Sequence, residues 1–414
     1  MVKILDGFAY WLKSIIKKPF KIGLISYYYP RNHIIDNGVA VHTYYLSKKL
    51  AEFGCEVHIF TKGERTFTKK NYPGNGKLVI HFIDTKFDSP LTDIVAKKRM
   101  SYFIFDNKII NEVTKENSNR KFNIIHTHGW LTAGAFISRS LNNLKWVHTF
   151  HAVERNRLKF MSIDEKKYFK IAKWIESTVK YADALIAVSE VLRKEILENY
   201  KVKKDKVYYV PNGVDLSLFK QDRNINKQKQ VLYIGRFSLE KGIDLIPKIA
   251  RKVLENDDKV KFFVLATGNI PPSIELLKEK FDYLINKYPK RFILERETKS
   301  REELAKMYNE STIYIQPSRY EAFGLTVLEA MASGTAVICS NKGGLPEVVG
   351  NAGVIIPLNH KRFAKEILKL LENFRLRERY ARRAMKRAEE FEWSKKVGKT
   401  LSIYKKISKE KTKE

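Results

Sequence analysis

Short apolar segments alternate with helical patterns along almost the whole chain, and this series occurs twice. The first series begins with "KIGLISYYY" at Lys21 and continues through "EVHIFT", "FNIIHTHG" and "VYYVPNG". The second begins with "VLYIGR" at Val231 and continues through "VKFFVLATG", "STIYIQPS" and "AVICSN". Strands that alternate with helices form parallel sheets covered by helices on both faces. The sequence therefore predicts an α/β protein with two Rossmann-like, doubly wound parallel-sheet domains.

The polar stretch "KQDRNINKQKQ" separates the two series and has no hydrophobic period. A chain of 414 residues is also too long for one ordinary core. We expect an N-terminal amphipathic extension at 1–20, a first domain at 21–219, a second domain at 220–390 and a basic C-terminal helix at 391–414 that can pack back on the first domain. Because ligands of open parallel sheets bind beyond the carboxyl ends of the strands, the loops after the strands are the place to look for chemistry.

Positive charge is in large excess, with 78 Lys and Arg against 46 Asp and Glu and a net charge of +32. Such an excess is typical of proteins whose partners are negative: nucleic acid, an anionic membrane surface or phosphorylated substrates. The lysines are scattered rather than clustered, so a generally lysine-rich protein explains the charge equally well. Composition alone leaves these alternatives open.

Residues 1–18 have the pattern of an amphipathic helix. One side carries apolar residues such as Phe8 and Trp11, and Lys17 and Lys18 follow. This pattern suits a helix lying in a membrane interface, and it also suits a terminal helix packed on the protein itself.

The two cysteines, Cys55 and Cys339, each lie in an apolar segment. This placement is typical of buried free thiols in a reducing compartment. We therefore expect a cytoplasmic protein, with the option of peripheral contact with an anionic membrane at its inner face.

Two basic residues follow the segment "VLYIGR". Arg236 ends this segment, and Lys241 comes five residues later. Arginine suits bidentate contact with a phosphate and lysine supplies a point charge, so the pair predicts a diphosphate site. Two basic residues in so basic a chain are also common in a solvated loop, but their position after a strand favours the site.

The stretch "SRYEAFGLTVLEAMASGT" at 318–335 places Glu321 just before a helix pattern and Glu329 within it. The backbone N–H groups of Gly324 and Leu325 lie at the first turn of that helix, where an anion binds. Glu321 would then lie beside a hydroxylated ring attached to the phosphate. Glu329 is placed to accept hydrogen bonds from the two hydroxyls of a ribose.

Together these segments resemble the family 4 retaining glycosyltransferases (glycosyltransferase group 1), which have the GT-B fold. The matching segments, in the family's order, are "VPNGVD" at 210–215, "GRFSLEKG" at 235–242, "EAFGLTVLE" at 321–329 and "GGLPEVV" at 343–349. The resemblance extends over residues 20–400. It implies two domains that face each other across a cleft and a nucleotide-sugar donor based on UDP, GDP or ADP.

The resemblance also implies roles for individual residues. Glu329 would hold the ribose of the donor, and Glu321 would contact the transferred sugar. The diphosphate and sugar would be bound by Arg236, Lys241 and the backbone of Phe323, Gly324 and Leu325. The chain contains no Asp-x-Asp sequence, which fits a fold in which cationic side chains rather than a metal ion neutralise the leaving diphosphate. We expect neither a metal nor a cofactor.

Histidines follow two neighbouring strands of the first domain. They are His126 and His128 in "HTHGW" and His148 and His151 in "VHTFHAVER". Four histidines at adjacent strand ends could suit a metal, but no set of acidic ligands accompanies them. By resemblance, His151 contacts the donor sugar and belongs with Glu321, Arg236 and Lys241 to the catalytic group.

The sequence gives fewer motifs for the acceptor part of the cleft than for the donor part. Asn37 and Gly38 stand where the family usually has two glycines, and Glu154 and Arg155 follow His151. We expect these four residues to contact the acceptor, whose identity the sequence does not give.

The sequence thus predicts a metal-independent retaining enzyme that transfers a sugar from a nucleotide diphosphate sugar to a sugar, a sugar phosphate or a lipid-linked acceptor. One alternative keeps the fold and is a sugar-nucleotide epimerase or a phosphorylase, although we find no motif for a pyridoxal phosphate lysine. Another class of protein, a basic nucleic-acid-binding protein, would explain the charge, but no recognisable reader motif is present. We therefore expect no nucleic-acid partner.

Overall fold

The computed structural model of the protein describes residues 19–30, 37–64, 67–73, 75–86, 94–129, 144–160, 178–268, 270 and 274–409. The amphipathic helix predicted for residues 1–18 lies outside the described residues.

The first sheet contains eight strands within the described residues. They are β1 Lys21–Ser26, β2 Glu56–Lys62, β3 Phe67–Asn71, β4 Lys77–Ile83, β5 Ile124–His128, β6 Lys145–Phe150, β7 Ala184–Ala187 and β8 Val207–Tyr209. Their order in space is β3-β4-β2-β1-β5-β6-β7-β8, and only β3, paired with β4, is antiparallel. The alternation of apolar segments did not predict β3, because its sequence "FTKKN" is mostly polar.

The second sheet contains six strands in the described part of the chain, all parallel. They are β9 Gln228–Arg236, β10 Lys261–Thr267, β11 Phe292–Glu295, β12 Ser311–Gln316, β13 Ala336–Ser340 and β14 Val354–Ile356. Their order is β11-β10-β9-β12-β13-β14, so the strand order reverses between β9 and β12. A crevice forms at such a reversal, beyond the carboxyl ends of the two strands.

Helices cover both sheets. The first sheet is accompanied by α1 Gly38–Glu52, α2 Ile94–Arg120, α3 Glu154–Arg157 and α4 Glu190–Asn199. The second part of the chain contains α5 Ile246–Asn256, α6 Leu277–Lys287, α7 Arg301–Glu310, α8 Leu325–Ala332, α9 Leu345–Val349, α10 His360–Glu372, α11 Phe374–Ala388 and α12 Trp393–Lys409. The prediction of two parallel-sheet α/β units is confirmed.

The last helix, α12, lies against the first sheet although it follows the second in sequence. Trp393 stacks on Tyr45 of α1 with the ring centres 5.4 Å apart, and Tyr404 contacts the ring of His126. Trp393 and Tyr404 are buried in one apolar core with residues of β1, β2 and α1. The C-terminal segment therefore ties the two parts of the molecule together.

Cys55 and Cys339 are both buried and free, as expected. Within the described residues, no helix has both the length and the apolar character required to cross a bilayer.

Candidate active site

A cavity of about 660 Å³ lies between the carboxyl ends of the two sheets. Cavities of this size bind small molecules in other proteins. The first sheet and its loops contribute Asn37, Gly38, His128, His151, Glu154 and Arg157 to the lining, and the second part contributes Arg236, Glu240, Lys241, Arg301, Glu321, Phe323, Gly324, Leu325 and Glu329. The structure therefore brings together most of the residues that the sequence analysis singled out.

The end of β9 and the loop that follows it place the two predicted cations, Arg236 and Lys241, in this cavity. A glycine makes the turn possible, because Gly242 has φ +73° and a Cβ atom there would lie 1.9 Å from the carbonyl oxygen of Pro317. The close approach places Lys241 beside the loop that follows β12. Lys241 Nζ donates to Glu321 Oε2 at 2.7 Å. The cation predicted to bind phosphate and the acid predicted to contact sugar are thus direct neighbours.

The start of α8 also faces the cavity. Gly324 is the N-cap residue, with φ +109°, and no side chain in the described part of the chain caps this end of the helix. The start of α1 approaches from the opposite side, where a Cβ atom on Gly38 would lie 3.4 Å from Leu325 Cδ1. Backbone N–H groups at a helix start attract anions. An anion between the start of α8 and the start of α1 would therefore contact both halves of the molecule.

Glu329 lies on α8 at the base of the cavity and is 2% exposed. Its two oxygens accept hydrogen bonds from different side chains, Arg301 Nη2 at 2.7 Å and Tyr308 OH at 3.2 Å. A capping box at Ser300 and Glu303 fixes the start of α7 and so the position of Arg301. Each carboxylate oxygen has a second lone pair, so Glu329 can still accept from a ligand.

Glu240 is the centre of a group of charges that the sequence analysis did not identify. It is buried and pairs with Arg236 at 2.8 Å, Arg157 at 3.6 Å and Lys241 at 3.7 Å. Burial alone would raise the pKa of Glu240, but Arg236, Arg157 and Lys241 together lower this pKa to about 2. Because Arg157 belongs to α3 and Glu240 to the loop after β9, this ion pair crosses the cleft.

The histidines divide into two groups. His126 and His148 are buried within the first sheet and have partners there, His126 with Thr149 at 2.7 Å and His148 with Thr127 at 2.8 Å. His128 and His151 instead line the cavity. Their ring nitrogens lie 3.5 Å apart.

A further histidine, His42 of α1, packs against His151 with the ring centres 4.8 Å apart. Among the described residues, His42 Nε2 and His128 Nε2 are buried and have no hydrogen-bond partner. Burial, followed by the charges of neighbouring histidines, holds the pKa of His128 and of His151 well below the usual range, so both rings are neutral. Neutral rings with unused nitrogens suit hydroxyl groups of a sugar, and the three rings are also close enough for a metal ion.

The four residues expected at the acceptor occupy different environments. Asn37 caps α1 by accepting from the N–H of Ala40 at 2.9 Å, and together with Gly38 it lines the cavity. Glu154 lines it too but is bound by Arg157 at 2.7 Å, and burial raises the pKa of Glu154. Arg155 is exposed and does not belong to the described lining, because the short helix α3 turns it outward and turns Arg157 inward.

Two family models match this chain in succession. The model "Glycosyltransferase Family 4" matches residues 36–218, and the model "Glycosyl transferases group 1" matches residues 217–387. The chain belongs to the group 1 glycosyltransferases. It is accordingly an enzyme that transfers a sugar from a nucleotide-sugar donor.

Relatives of this glycosyltransferase have low sequence identity to it, but the matches cover nearly the whole length of both chains. An uncharacterised glycosyltransferase of Methanocaldococcus jannaschii is 25% identical over 93% of this chain and 98% of the relative. A D-inositol 3-phosphate glycosyltransferase of Paenarthrobacter aurescens is 24% identical over 89% and 92%. Among solved structures, a sucrose-phosphate synthase of Thermosynechococcus elongatus superposes with a TM-score of 0.76 at 22% identity, over 94% of this chain and 98% of the other. This last likeness confirms the GT-B fold.

Sequence reasoning missed three charged residues of this glycosyltransferase's cleft: Glu240, Arg157 and Arg301. Glu240 lies inside the matched segment "GRFSLEKG", so its position next to Lys241 was an available signal. Arg157 and Arg301 lie in segments without a motif, and only the packing of α3 and α7 brings them to the cleft.

Proposed function

We propose that this glycosyltransferase transfers its sugar with retention at the anomeric carbon, from a UDP-, GDP- or ADP-sugar bound across the cleft. The main support is that Arg236, Lys241 and the start of α8 line the same cavity as Glu321 and Glu329. Cations and a helix start suit a diphosphate, and carboxylates suit the hydroxyls of a sugar and a ribose, so this combination matches a nucleotide sugar.

The chemistry of the step explains this arrangement. As the bond to the donor sugar breaks, negative charge grows on the diphosphate and positive charge grows on the sugar. Arg236, Lys241 and the N–H groups at the start of α8 stabilise the diphosphate, and donor binding exchanges their present partners, Glu240 and Glu321, for phosphate oxygens. Attack by the acceptor on the face from which the diphosphate leaves gives retention.

The sugar itself would lie between Glu321 and the cavity-lining histidines. Glu321 lies in the loop before α8, and neutral His151 faces the cavity from the first sheet. The Glu321 carboxylate accepts hydrogen bonds from hydroxyls, and the neutral His151 ring can accept or donate them, so the two would hold the sugar in a reactive orientation. Glu329, fixed by Arg301 and Tyr308, would bind the ribose.

For the acceptor we propose a phosphorylated polyol, a sugar phosphate or a lipid-linked sugar. The net charge of +32 favours an anionic acceptor. The names of the P. aurescens relative, which acts on D-inositol 3-phosphate, and of the sucrose-phosphate synthase point to the same chemical class. Asn37 and Gly38 line the part of the cavity nearest the first sheet, where this acceptor would enter.

We also propose that the enzyme is cytoplasmic and makes peripheral contact with anionic membrane through residues 1–18. The amphipathic pattern of that segment and the two lysines at its end support this proposal.

The experiment that tests the proposed function is a donor screen followed by product analysis. UDP-, GDP- and ADP-sugars are each incubated with the enzyme, with and without sugar phosphates, and the anomeric configuration of the product is read by NMR. We expect turnover with one nucleotide class and the same anomeric configuration in donor and product. An inverted product would overturn the retaining mechanism.

Variants of the phosphate-binding cations test the assignment of the site. We expect Arg236→Gln and Lys241→Gln each to lower kcat by about a hundredfold or more, because both meet charge that grows in the transition state. Arg251→Gln is the matched control, since Arg251 forms an exposed pair with Glu255 on α5, outside the cavity lining. If Arg236→Gln and Lys241→Gln were as active as Arg251→Gln, phosphate binding by Arg236 and Lys241 would be ruled out.

A further inference from the structure

A second group of polar side chains lies away from the cleft, where α2 crosses the first sheet. His58 of β2 and His81 of β4 point to the same face, because His58 pairs in register with Val79 and side chains alternate along a strand. Glu116 of α2 lies over them. His58 is fully buried and His81 is 9% exposed. The proposed transfer reaction uses none of these residues.

The distances within this group suit a bound cation. His58 Nδ1 lies 2.9 Å from His81 Nε2 and 3.8 Å from Glu116 Oε2. Zinc bound to nitrogen and oxygen at 2.0–2.2 Å with tetrahedral angles places its ligand atoms about 3.3–3.5 Å apart. These two distances lie on either side of that range, and all three ligand atoms lie within 4.8 Å of one another, so side-chain rotations can bring them to one ion.

The surroundings of His58 fix which of its nitrogens is available. Glu56 Oε1 lies 3.1 Å from His58 Nε2 and is itself bound by Arg120 at 3.0 Å and Lys77 at 3.4 Å. An ionised carboxylate only accepts, so His58 Nε2 carries the proton and Nδ1 presents a lone pair to His81 and Glu116. A carboxylate on the far nitrogen is the usual partner of a histidine that binds a metal.

We propose that His58, His81 and Glu116 form a structural binding site for a divalent transition cation of the Zn²⁺ class. Two imidazole nitrogens and one carboxylate oxygen are ligands that such cations prefer. Glu116 Oε2 also accepts from Arg120 at 2.7 Å, and a second lone pair on this oxygen leaves it able to coordinate. The ion would fasten α2 to β2 and β4.

The competing arrangement is a plain hydrogen bond between the two imidazoles. It needs no cation and uses the same pair of nitrogens. The two arrangements differ in metal content, in spectrum and in their dependence on Glu116, which a direct hydrogen bond between His58 and His81 does not need.

The test uses the full-length protein, stripped with EDTA and then titrated with Co²⁺ and Zn²⁺. We expect one equivalent of Co²⁺ to bind with visible absorption bands of a tetrahedral site, Zn²⁺ to displace it, and the melting temperature to rise with occupancy. We expect His81→Gln and Glu116→Gln to weaken Co²⁺ binding by about a hundredfold or more, and Glu56→Gln by about tenfold.

Two control variants separate this site from other histidines. His360→Gln changes a ring that is only partly buried at the start of α10 and should leave the titration unchanged. His151→Gln tests the cleft group of His42, His128 and His151, whose rings could also take Co²⁺. Loss of the spectrum in His151→Gln with retention in Glu116→Gln, or no stoichiometric binding by the parent protein, would overturn the proposal. Glu116 is on the helix surface and partly exposed, so this variant tests the site even if His81→Gln folds poorly.

Discussion

At the scale of single residues, the cleft is organised by carboxylates that hold cations in place. Glu240 gathers Arg157, Arg236 and Lys241, and Glu321 takes a second contact from Lys241. Three cations so close together would repel one another without these two carboxylates. These carboxylates therefore hold the cations near the proposed diphosphate site before a donor arrives.

Glu240 gives a prediction about pH. Its pKa in the folded protein is about 2, below the ordinary value of 4.5, so its stabilising effect is complete above pH 4.5 and is lost as the pH falls toward 2. From pH 7 to pH 3 this loss amounts to about 2 kcal/mol. We expect the difference in melting temperature between the parent enzyme and Glu240→Gln to be large at pH 7 and clearly smaller at pH 3. A difference that stays constant with pH would show that Glu240 does not titrate in this way.

Glu329 gives a prediction about nucleotide binding. Glu329→Gln keeps the shape of the side chain but removes the charge that would accept from a ribose. We expect the Kd of the preferred nucleoside diphosphate to rise roughly tenfold to a hundredfold, since hydrogen bonds to a charged group contribute about 1.5–3 kcal/mol. Calorimetry without acceptor measures this change.

The control for Glu329 is Tyr308→Phe. This variant removes one hydrogen bond to the carboxylate but leaves its charge and its pair with Arg301. Tyr308 is fully buried and lies outside the described cavity lining. Equal affinities in the parent and in both variants would remove the ribose role of Glu329.

The sequence predicted the residues of the cleft unevenly, and the reason is physical. Arg236, Lys241, Glu321 and Glu329 follow or adjoin strands β9 and β12, whose carboxyl ends must converge in a parallel sheet. Arg301 and Arg157 reach the cleft only because α7 and α3 pack where they do, and no spacing in the sequence records that packing. The contrast between Arg155 and Arg157 has the same cause, because two residues of one helical turn point in different directions.

At the scale of secondary-structure elements, one close approach positions the cation loop. Gly242 lets the loop after β9 contact the backbone of Pro317 after β12. We expect Gly242→Ala to destabilise the enzyme by roughly 2–4 kcal/mol, because the new Cβ both overlaps this carbonyl and strains a left-handed residue. It should also lower kcat by moving Lys241. Thermal melting and steady-state kinetics measure the two effects.

Gly268 provides the matched control for Gly242. Its φ is +85°, but a Cβ atom there would meet nothing within 4 Å among the described residues. Gly268→Ala therefore adds backbone strain without overlap and should lower the melting temperature much less. Similar losses in both variants would mean that left-handed strain alone, and not contact with Pro317, accounts for the effect.

The strand and helix pattern predicted most elements because buried parallel strands are continuous apolar segments. The pattern of apolar segments did not predict β3, because β3 is a polar strand at the edge of the first sheet. The position of α12 follows from an apolar face made of Trp393, Leu401 and Tyr404, which covers α1 rather than the second sheet. The hydrophobic period of the sequence predicts that α12 has an apolar face. Which surface this face covers is decided by tertiary packing.

At the scale of the whole molecule, the two halves are held together by contacts that differ in kind. Tyr320 of the second part accepts from the N–H of Val153 at 3.2 Å and donates to Glu195 at 2.9 Å. The Arg157–Glu240 pair adds a charged contact across the cleft. In the proposed binding mode, donor phosphates would compete with Glu240 for its cations. Donor binding would then change the contact between the two halves of the molecule through the same side chains.

The last prediction concerns residues 1–18, which precede the first strand of the described sheet. If this segment binds a membrane interface, its deletion should leave donor hydrolysis intact, because β1 begins only at Lys21. Interfacial helices bind through apolar burial and through attraction to anionic lipid, about 1 kcal/mol for each basic residue near the surface. Sedimentation with anionic vesicles should therefore decrease on deletion and with rising salt, while neutral vesicles bind little throughout.

If residues 1–18 instead form a helix packed on the protein, the opposite pair of results is expected: a lower melting temperature on deletion and unchanged sedimentation. Because the two measurements move independently, this comparison decides between membrane contact and internal packing.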